Sequence, residues 1–194
     1  MELISDILYW ISTGLLVPVI VLLIFLFLRA LVLVGSFFGQ YLAIRKSSAT
    51  IRKVLTGVTR ENLDSVVERL PKKSGMPVVS YVRQIIENKD NPAEVQRLLS
   101  EFEIVADKDL STSKMLSKLG PMLGLMGTLI PMGPALAGLA SGDIASMARN
   151  MQVAFATTVT GLVAAAIGYV TQQVKQRWYL QDMTNLEYLA EILK

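Results

Sequence analysis

Three long apolar stretches divide this chain. Two of them, residues 119–142 and 150–174, contain no charged side chain. The only charged residues of the segment between them, 143–149, are Asp143 and Arg149. A helix of about 20 residues crosses the roughly 30 Å hydrocarbon core of a bilayer. The pattern therefore predicts two membrane-spanning helices joined by a short outer turn.

The third apolar stretch, residues 7–39, is broken only by Arg29. It follows Glu2 and Asp6 and is too long for a cleaved signal peptide, so we expect residues 1–39 to form an uncleaved first span with an extension beyond the membrane. Residues 9–28 fill the bilayer, and Arg29 reaches the interface. Pro18 predicts a kink, because proline removes one helical hydrogen bond.

The polar region 40–118 is predicted to be helical, because its apolar residues recur at spacings of three and four. The Asn91-Pro92 pair predicts a helix start, and that helix continues into the second span without a break. Near the end of this span, Pro131 and Pro134 predict a break that bares carbonyl groups. The tail, 175–194, reads as an amphipathic helix packed on the other polar helices. The predicted faces are Leu63, Val66, Val67 and Leu70; Val95, Leu98, Leu99 and Phe102; and Leu186, Leu189 and Ile192.

Basic residues are distributed unequally between the two connecting segments. Residues 40–118 hold 14 of the 19 Lys and Arg, whereas the turn at 143–149 holds only Arg149. Because basic loops stay in the cytoplasm, the sequence predicts a cytoplasmic helical region at 40–118, an outer N-terminus and an inner C-terminus. The expected fold is an all-α integral membrane protein with three transmembrane helices.

Composition excludes several kinds of chemistry. The chain has no Cys and no His, which excludes disulfides, the usual zinc sites and histidine catalysis. The spans hold no pair of carboxylates, so we expect neither an enzyme nor a cofactor. The net charge of +3 comes from residues beside membrane spans, which favours contact with lipid over nucleic acid.

Small residues and threonines share faces of the second and third spans. Gly120, Gly124 and Thr128 recur every four residues, and Thr158 shares a face with Gly161 in the third span. Such faces let helices pack closely in lipid. Their hydroxyl groups could equally line a narrow polar path or meet a partner's carboxylate, and the sequence leaves both interpretations open.

Two segments carry a resemblance to a known family. The sequence GLMGT at 124–128, followed after a short turn by AFATTVTGL at 154–162, resembles the paired signature of the MotA/TolQ/ExbB proton-channel family, most closely its TolQ and ExbB branch. The resemblance implies the channel-forming subunit of an ion-driven motor, with protons as the expected ion, in the inner membrane of the cell. It also implies a homopentamer around a single-span partner, similar to ExbD or TolR, whose span carries an aspartate.

The resemblance assigns roles by position. Thr128 and Thr158 correspond to the pore-facing threonines, and Thr157 joins them as a candidate for the ion pathway. Many members of the branch carry a glutamate at the start of the third span, where this chain has Val153 beside Gln152. The residues expected to pack helices or face the partner are Gly120, Gly124, Gly127, Pro131, Ala154, Gly161, Ala165 and Gly168.

Two other functions remain open from the sequence. A membrane scaffold of the same fold could anchor a partner without conducting ions, which would fit the missing acid at Val153 and the uncharged spans. A small-molecule transporter is the third possibility and has the least support, because three spans without internal repeats offer little for alternating access.

Overall fold

The computed structural model describes residues 2–55 and 77–193 of the chain, and these residues form five helices. The predicted all-helical fold is confirmed for this part of the chain, and three helical stretches are long and apolar enough to cross a membrane. The predicted face at 63–70 lies outside the described residues. The helices are α1 (Glu2–Gly14), α2 (Leu16–Leu55), α3 (Pro77–Glu87), α4 (Pro92–Ala140) and α5 (Ile144–Leu193).

The first apolar stretch is interrupted one turn before its proline. Helix α1 ends at Gly14 and α2 begins at Leu16. Pro18 has no N–H to donate to the Gly14 carbonyl, so the helical ladder loses a bond at this point. The Leu15 N–H is shared between the carbonyls of Ile11 and Ser12, each at 3.1 Å. The kink predicted from Pro18 is therefore a break at Leu15.

Helix α4 begins at the predicted cap and continues through three prolines. The Glu94 N–H donates to Asn91 Oδ1 over 3.3 Å, which satisfies one of the free amides of the first turn. The predicted break at Pro131 and Pro134 is wrong, because α4 runs unbroken to Ala140. Pro131 is fully buried. Each proline removes one backbone bond, and membrane helices tolerate this loss because neighbouring helices can satisfy the freed groups.

The turn between α4 and α5 is shorter than the segment predicted at 143–149. Gly142 has a φ of 77°, and the Asp143 N–H donates to the Gly138 carbonyl over 2.8 Å. Asp143 Oδ1 then accepts the Ser146 N–H over 3.0 Å and caps α5. Residues 144–149 are therefore helical. Helix α5 continues to Leu193, so the predicted tail helix is its last part rather than a separate element.

Two compact units divide the described chain, and both include parts of α2, α4 and α5. The first, here called the spanning unit, consists of Met1–Val34 and Thr112–Gln172. Its buried core brings α2, α4 and α5 together. The side chains of that core are Leu26, Ala30 and Leu33 of α2, Leu116 of α4 and Ala164 of α5. This unit holds the whole uncharged stretch 119–142 and residues 150–172 of the other.

The second unit, here called the charged unit, consists of Gly35–Ser111 and Gln173–Lys194. Apolar faces of α3, α4 and α5 meet in its core, which confirms the predicted amphipathic faces of α4 and of the tail. The largest buried side chains of this core are Val78, Val82, Ile85, Leu98, Phe102, Leu186 and Leu189. Earlier on α5, Trp178 stacks on Phe37 of α2, with ring centroids 5.6 Å apart.

We expect Asp182→Asn to stabilise the detergent-solubilised protein at neutral pH. Burial raises the pKa of the Asp182 carboxyl from 3.8 to about 6. Because the native state then binds this proton more tightly than the unfolded state, the contribution is favourable at low pH and is lost as the pH rises toward the raised pKa. The thermal midpoints of the two proteins should agree at about pH 4. At about pH 7 the midpoint of the variant should be higher than that of the wild type by a few degrees. A constant difference at both pH values would contradict this assignment.

Candidate functional site

The small-residue faces of α4 and α5 meet with their backbones in close contact. A Cβ atom placed on Gly161 would lie 2.6 Å from the Gly120 carbonyl oxygen and 2.9 Å from the Gly124 Cα. A Cβ on Gly120 would lie 3.0 Å from the Ala165 Cβ. Only glycine fits at such distances, which is how small residues bring membrane helices together. The structure thus places the four predicted residues Gly120, Gly124, Gly161 and Ala165 in one contact.

Further close contacts between α4 and α5 lie on both sides of the contact between Gly120 and Gly161. A Cβ on Gly127 would lie 2.6 Å from the Thr157 Cβ, and one on Gly168 would lie 2.6 Å from the Leu116 Cβ. Ala154 and Pro131 are also buried. The residues predicted from the sequence to pack helices are therefore buried in the spanning unit, with Gly120, Gly124, Gly127, Gly161, Ala165 and Gly168 at the helix contacts.

Two threonines, one from each helix, lie in direct contact beside the glycines. The hydroxyl oxygens of Thr128 and Thr158 are 2.6 Å apart, and both side chains are partly buried. The two residues are here called the threonine pair. Thr128 Oγ1 also lies 2.8 Å from the Gly124 carbonyl oxygen, and Thr158 Oγ1 lies 3.0 Å from that of Ala154.

The number of hydroxyl hydrogens limits the hydrogen bonds that the threonine pair can donate. Each hydroxyl has one hydrogen and two lone pairs, so the pair has two hydrogens for three close contacts. One hydrogen must lie between the two oxygens, because a separation of 2.6 Å requires a bond there. The second hydrogen either bonds back to a helix carbonyl or turns to an acceptor outside the chain. The pair can thus donate one bond outward, and its lone pairs can accept others.

Thr157 has a different environment from the threonine pair. Its side chain is buried against Gly127, and its hydroxyl bonds back to the carbonyls of Val153 and Ala154, both at 3.0 Å. Such back-bonding satisfies a threonine within its own helix. The structure therefore brings Thr128 and Thr158 together and places Thr157 in the helix contact.

The sequence analysis missed two polar contacts between α4 and α5. In the spanning unit, the Thr171 hydroxyl donates to Ser113 Oγ over 3.1 Å, and both residues are buried. In the charged unit, Lys175 is buried and bonds to Asp109. Their sequence signal is weak, because Ser113 and Asp109 lie in a part of α4 that is rich in charge, where the buried side is set by contacts with other helices. The spacing of four between Thr171 and Lys175 was the one available hint.

Electrostatics around the threonine pair come from neutral groups alone. The stretches 119–142 and 150–174 contain no Asp, Glu, Lys or Arg. Within residues 2–55 and 77–193, no three acidic side chains lie together in a group that could hold a metal ion. The polar groups beside the pair within these two stretches are therefore hydroxyl and carbonyl oxygens.

Comparison with known proteins gives one match. The sequence model of the MotA/TolQ/ExbB proton channel family matches residues 50–187, which is 138 of the 194 residues and includes both threonine-bearing segments. Neither the curated proteins nor the solved structures gave a match. With most of its length matched, and with three helices able to cross a membrane, the chain belongs to the MotA/TolQ/ExbB proton channel family.

Proposed function

We propose that this protein is the channel-forming subunit of a proton-driven membrane motor of the TolQ and ExbB branch. The observation that carries the proposal is the contact between Thr128 and Thr158, which joins the two segments of the family signature at one point of the spanning unit. In this role the protein couples proton flow to the movement of a single-span partner and has no enzymatic activity or cofactor of its own.

The uncharged spans require the partner to supply the titratable group. A proton crosses hydrocarbon only on an ionisable side chain or along water, and the stretches 119–142 and 150–174 carry no Asp, Glu, Lys, Arg or His. A partner helix with one aspartate in its span supplies that group. This is the chemistry expected of a protein similar to ExbD or TolR.

The threonine pair suits both states of such an aspartate. When the carboxylate is ionised, the free hydrogen of the pair turns outward and donates to it. When it is protonated, it becomes a donor, and the hydroxyl lone pairs accept its hydrogen. Such a site gives the aspartate a hydrogen-bond partner in both its ionised and its protonated state. This matters in a medium of low dielectric, where a polar group without a hydrogen bond is costly.

A ring of identical subunits, most simply five, explains the apolar surface beside the pair. Leu125 and Leu129 of α4 are 59% and 63% exposed, and Phe155 and Val159 of α5 are 63% and 61% exposed. Neighbouring subunits, the partner and lipid are the surfaces that can cover these side chains in a membrane. Gln152, beside the Val153 that replaces the branch's glutamate, is also exposed and can bond to a neighbouring chain.

The orientation of the protein in the membrane is assigned from the distribution of its basic residues. We assign the N-terminus and the turn at 141–143 to the outside of the inner membrane, and residues 40–118 with the end of α5 to the cytoplasm. The support is the 14 basic residues at 40–118 against Arg149 alone near the turn. Arg29 fits the same assignment, since its guanidinium donates to Thr112 Oγ1 over 3.1 Å, and Thr112 lies seven residues before the uncharged stretch of α4 begins.

A membrane scaffold that anchors the same partner is the second candidate. Val153 favours it, because this position lacks the acid that many members of the branch carry. The two functions differ in one measurable property, since a scaffold binds the partner without passing ions.

We expect proton uptake into liposomes to require both proteins. The partner to test is a short single-span protein with an aspartate in its span, encoded beside this gene. Liposomes holding the subunit alone should take up few protons under an imposed potential, because its spans carry no Asp, Glu, Lys or His. Liposomes holding the purified complex should take up protons readily. Stable co-purification without uptake would instead establish the scaffold.

A further inference from the structure

Arg29 is an exposed cation on an apolar face of α2. It is the only charged residue between Asp6 and Arg45. Phe25, Leu28 and Val32 lie three or four positions from it, so they share its face of the helix. Their side chains are 57%, 56% and 73% exposed, while the buried core positions of α2 lie on another face. Arg29 is therefore a single positive charge within a surface that suits acyl chains.

A neutral group, not a carboxylate, holds the Arg29 guanidinium. The guanidinium donates to Thr112 Oγ1 of α4 over 3.1 Å. Among residues 2–55 and 77–193, no acidic side chain forms an ion pair with it. A guanidinium has five N–H donors, so four stay available, and the Thr112 hydroxyl keeps a hydrogen of its own. The two side chains thus offer a cation and planar donors, which is the chemistry that binds a phosphate.

The depth of this contact within the spanning unit is given by the helices beside it. Thr112 is followed by Ser113, which accepts a bond from Thr171 of α5. Past this level, α4 still carries charge as far as Lys118, whereas α5 is uncharged until Lys175. A level where one helix is charged and its neighbour is apolar is expected between hydrocarbon and water. Phospholipid phosphates occupy the same layer.

We propose that Arg29 and Thr112 bind the phosphate of an anionic phospholipid, whose acyl chain lies against Phe25 and Leu28. The apolar side chains favour a lipid over a free phosphate ion, because the ion would leave them uncovered. An anionic lipid is favoured over a zwitterionic one, because its net charge offsets that of the guanidinium. This site does not involve the threonine pair, so it stands apart from the proposed channel function.

Native mass spectrometry of the detergent-purified protein, titrated with phosphatidylglycerol or phosphatidylcholine, tests the proposal. The wild type should bind phosphatidylglycerol more tightly than phosphatidylcholine. Arg29→Gln should weaken phosphatidylglycerol binding at least about tenfold, as expected for the loss of charge-assisted bonds. Arg29→Lys should keep part of the binding, because lysine retains the charge without the planar donors. Lys108→Gln removes an exposed charge one turn before Thr112 and should bind like wild type.

Four results would overturn the proposal. The first is unchanged phosphatidylglycerol binding by Arg29→Gln. The second is an equal loss in Arg29→Gln and Lys108→Gln, which would indicate a general attraction of the lipid to basic residues. The third is displacement of the lipid by inorganic phosphate alone, which would assign the site to a free anion. The fourth is a change of oligomeric mass in Arg29→Gln without a change in lipid binding, which would place Arg29 against a neighbouring subunit.

A second measurement keeps Arg29 in place. The chain has no cysteine, so Leu28→Cys provides a single position for a fluorophore. In vesicles, phosphatidylglycerol with a spin label on its acyl chain should quench this fluorophore more strongly than spin-labelled phosphatidylcholine at the same mole fraction. Val17→Cys, at an exposed position about 17 Å away on the same helix, should be quenched equally by both lipids. Equal quenching at position 28 would overturn the proposal even if Arg29→Gln failed to fold.

Discussion

Gly161→Leu is expected to prevent assembly of the protein. A single Cβ at this position would lie 2.6 Å from the Gly120 carbonyl oxygen and 2.9 Å from the Gly124 Cα. Both obstacles are backbone atoms of α4, which cannot move aside as the end of a side chain can. Overpacking a close contact costs about 1–3 kcal/mol even where side chains adjust, and more is expected against backbone. Helices α4 and α5 would have to separate, and the threonine pair would separate with them.

Size-exclusion chromatography and native mass spectrometry of the detergent-purified protein measure this effect. Gly161→Leu should give aggregate or dissociated chains, and Gly161→Ala should give a smaller loss of the same kind. The control is Gly35→Leu in α2, where a Cβ meets no atom within 4 Å. A Gly161→Leu protein with the wild-type mass and thermal midpoint would refute the close backbone contact.

The double substitution Thr128→Val, Thr158→Val is expected to stop most proton flow while assembly survives. Valine has the shape of threonine without the hydroxyl, so the helix contact keeps its packing but loses both oxygens of the pair. A carboxylate facing this point would lack a bond worth about 1–3 kcal/mol, which corresponds to a loss of roughly five- to 150-fold in rate. Proton uptake by liposomes holding the complex measures the loss.

Two companion variants make the threonine result specific. Thr128→Ser with Thr158→Ser keeps both hydroxyls and should retain most of the uptake. Thr160→Val removes a hydroxyl that bonds to the Ala156 carbonyl of its own helix, and it should have little effect. Full uptake by the double valine variant would assign the threonine pair to helix packing alone.

The sequence predicted those features that depend on local pattern. The length of the uncharged stretches predicted the spans, and small residues four apart predicted the faces that bear Gly120 and Gly161. The Asn91-Pro92 pair predicted the start of α4. The pattern also put a threonine on each face, so the contact between Thr128 and Thr158 followed once the two helices met. The spans, the faces and the helix start are each fixed by residues within a few turns of one another, whereas the threonine contact also needs the two helices to pack together.

Features set by contacts distant in sequence were predicted less well. Pro131 and Pro134 suggested a break, yet α4 stays helical through both prolines, and Pro131 is fully buried. Lys175 looked like a charge at the end of a span, and its burial depends on Asp109, 66 residues away. Thr157 resembled Thr158 in sequence, but its contact with Gly127 separates their environments. Local spacing does not determine which side of a helix a distant partner covers.

The most direct test of the account compares proton uptake by liposomes that hold three preparations: the subunit alone, the complex, and the complex whose partner carries Asn in place of its membrane aspartate. The account assigns the titratable group to the partner and the hydrogen-bonding surface to the threonine pair. It therefore predicts uptake by the wild-type complex and almost none by the other two. Equal uptake by all three preparations would contradict it, because protons would then cross without the partner's carboxylate.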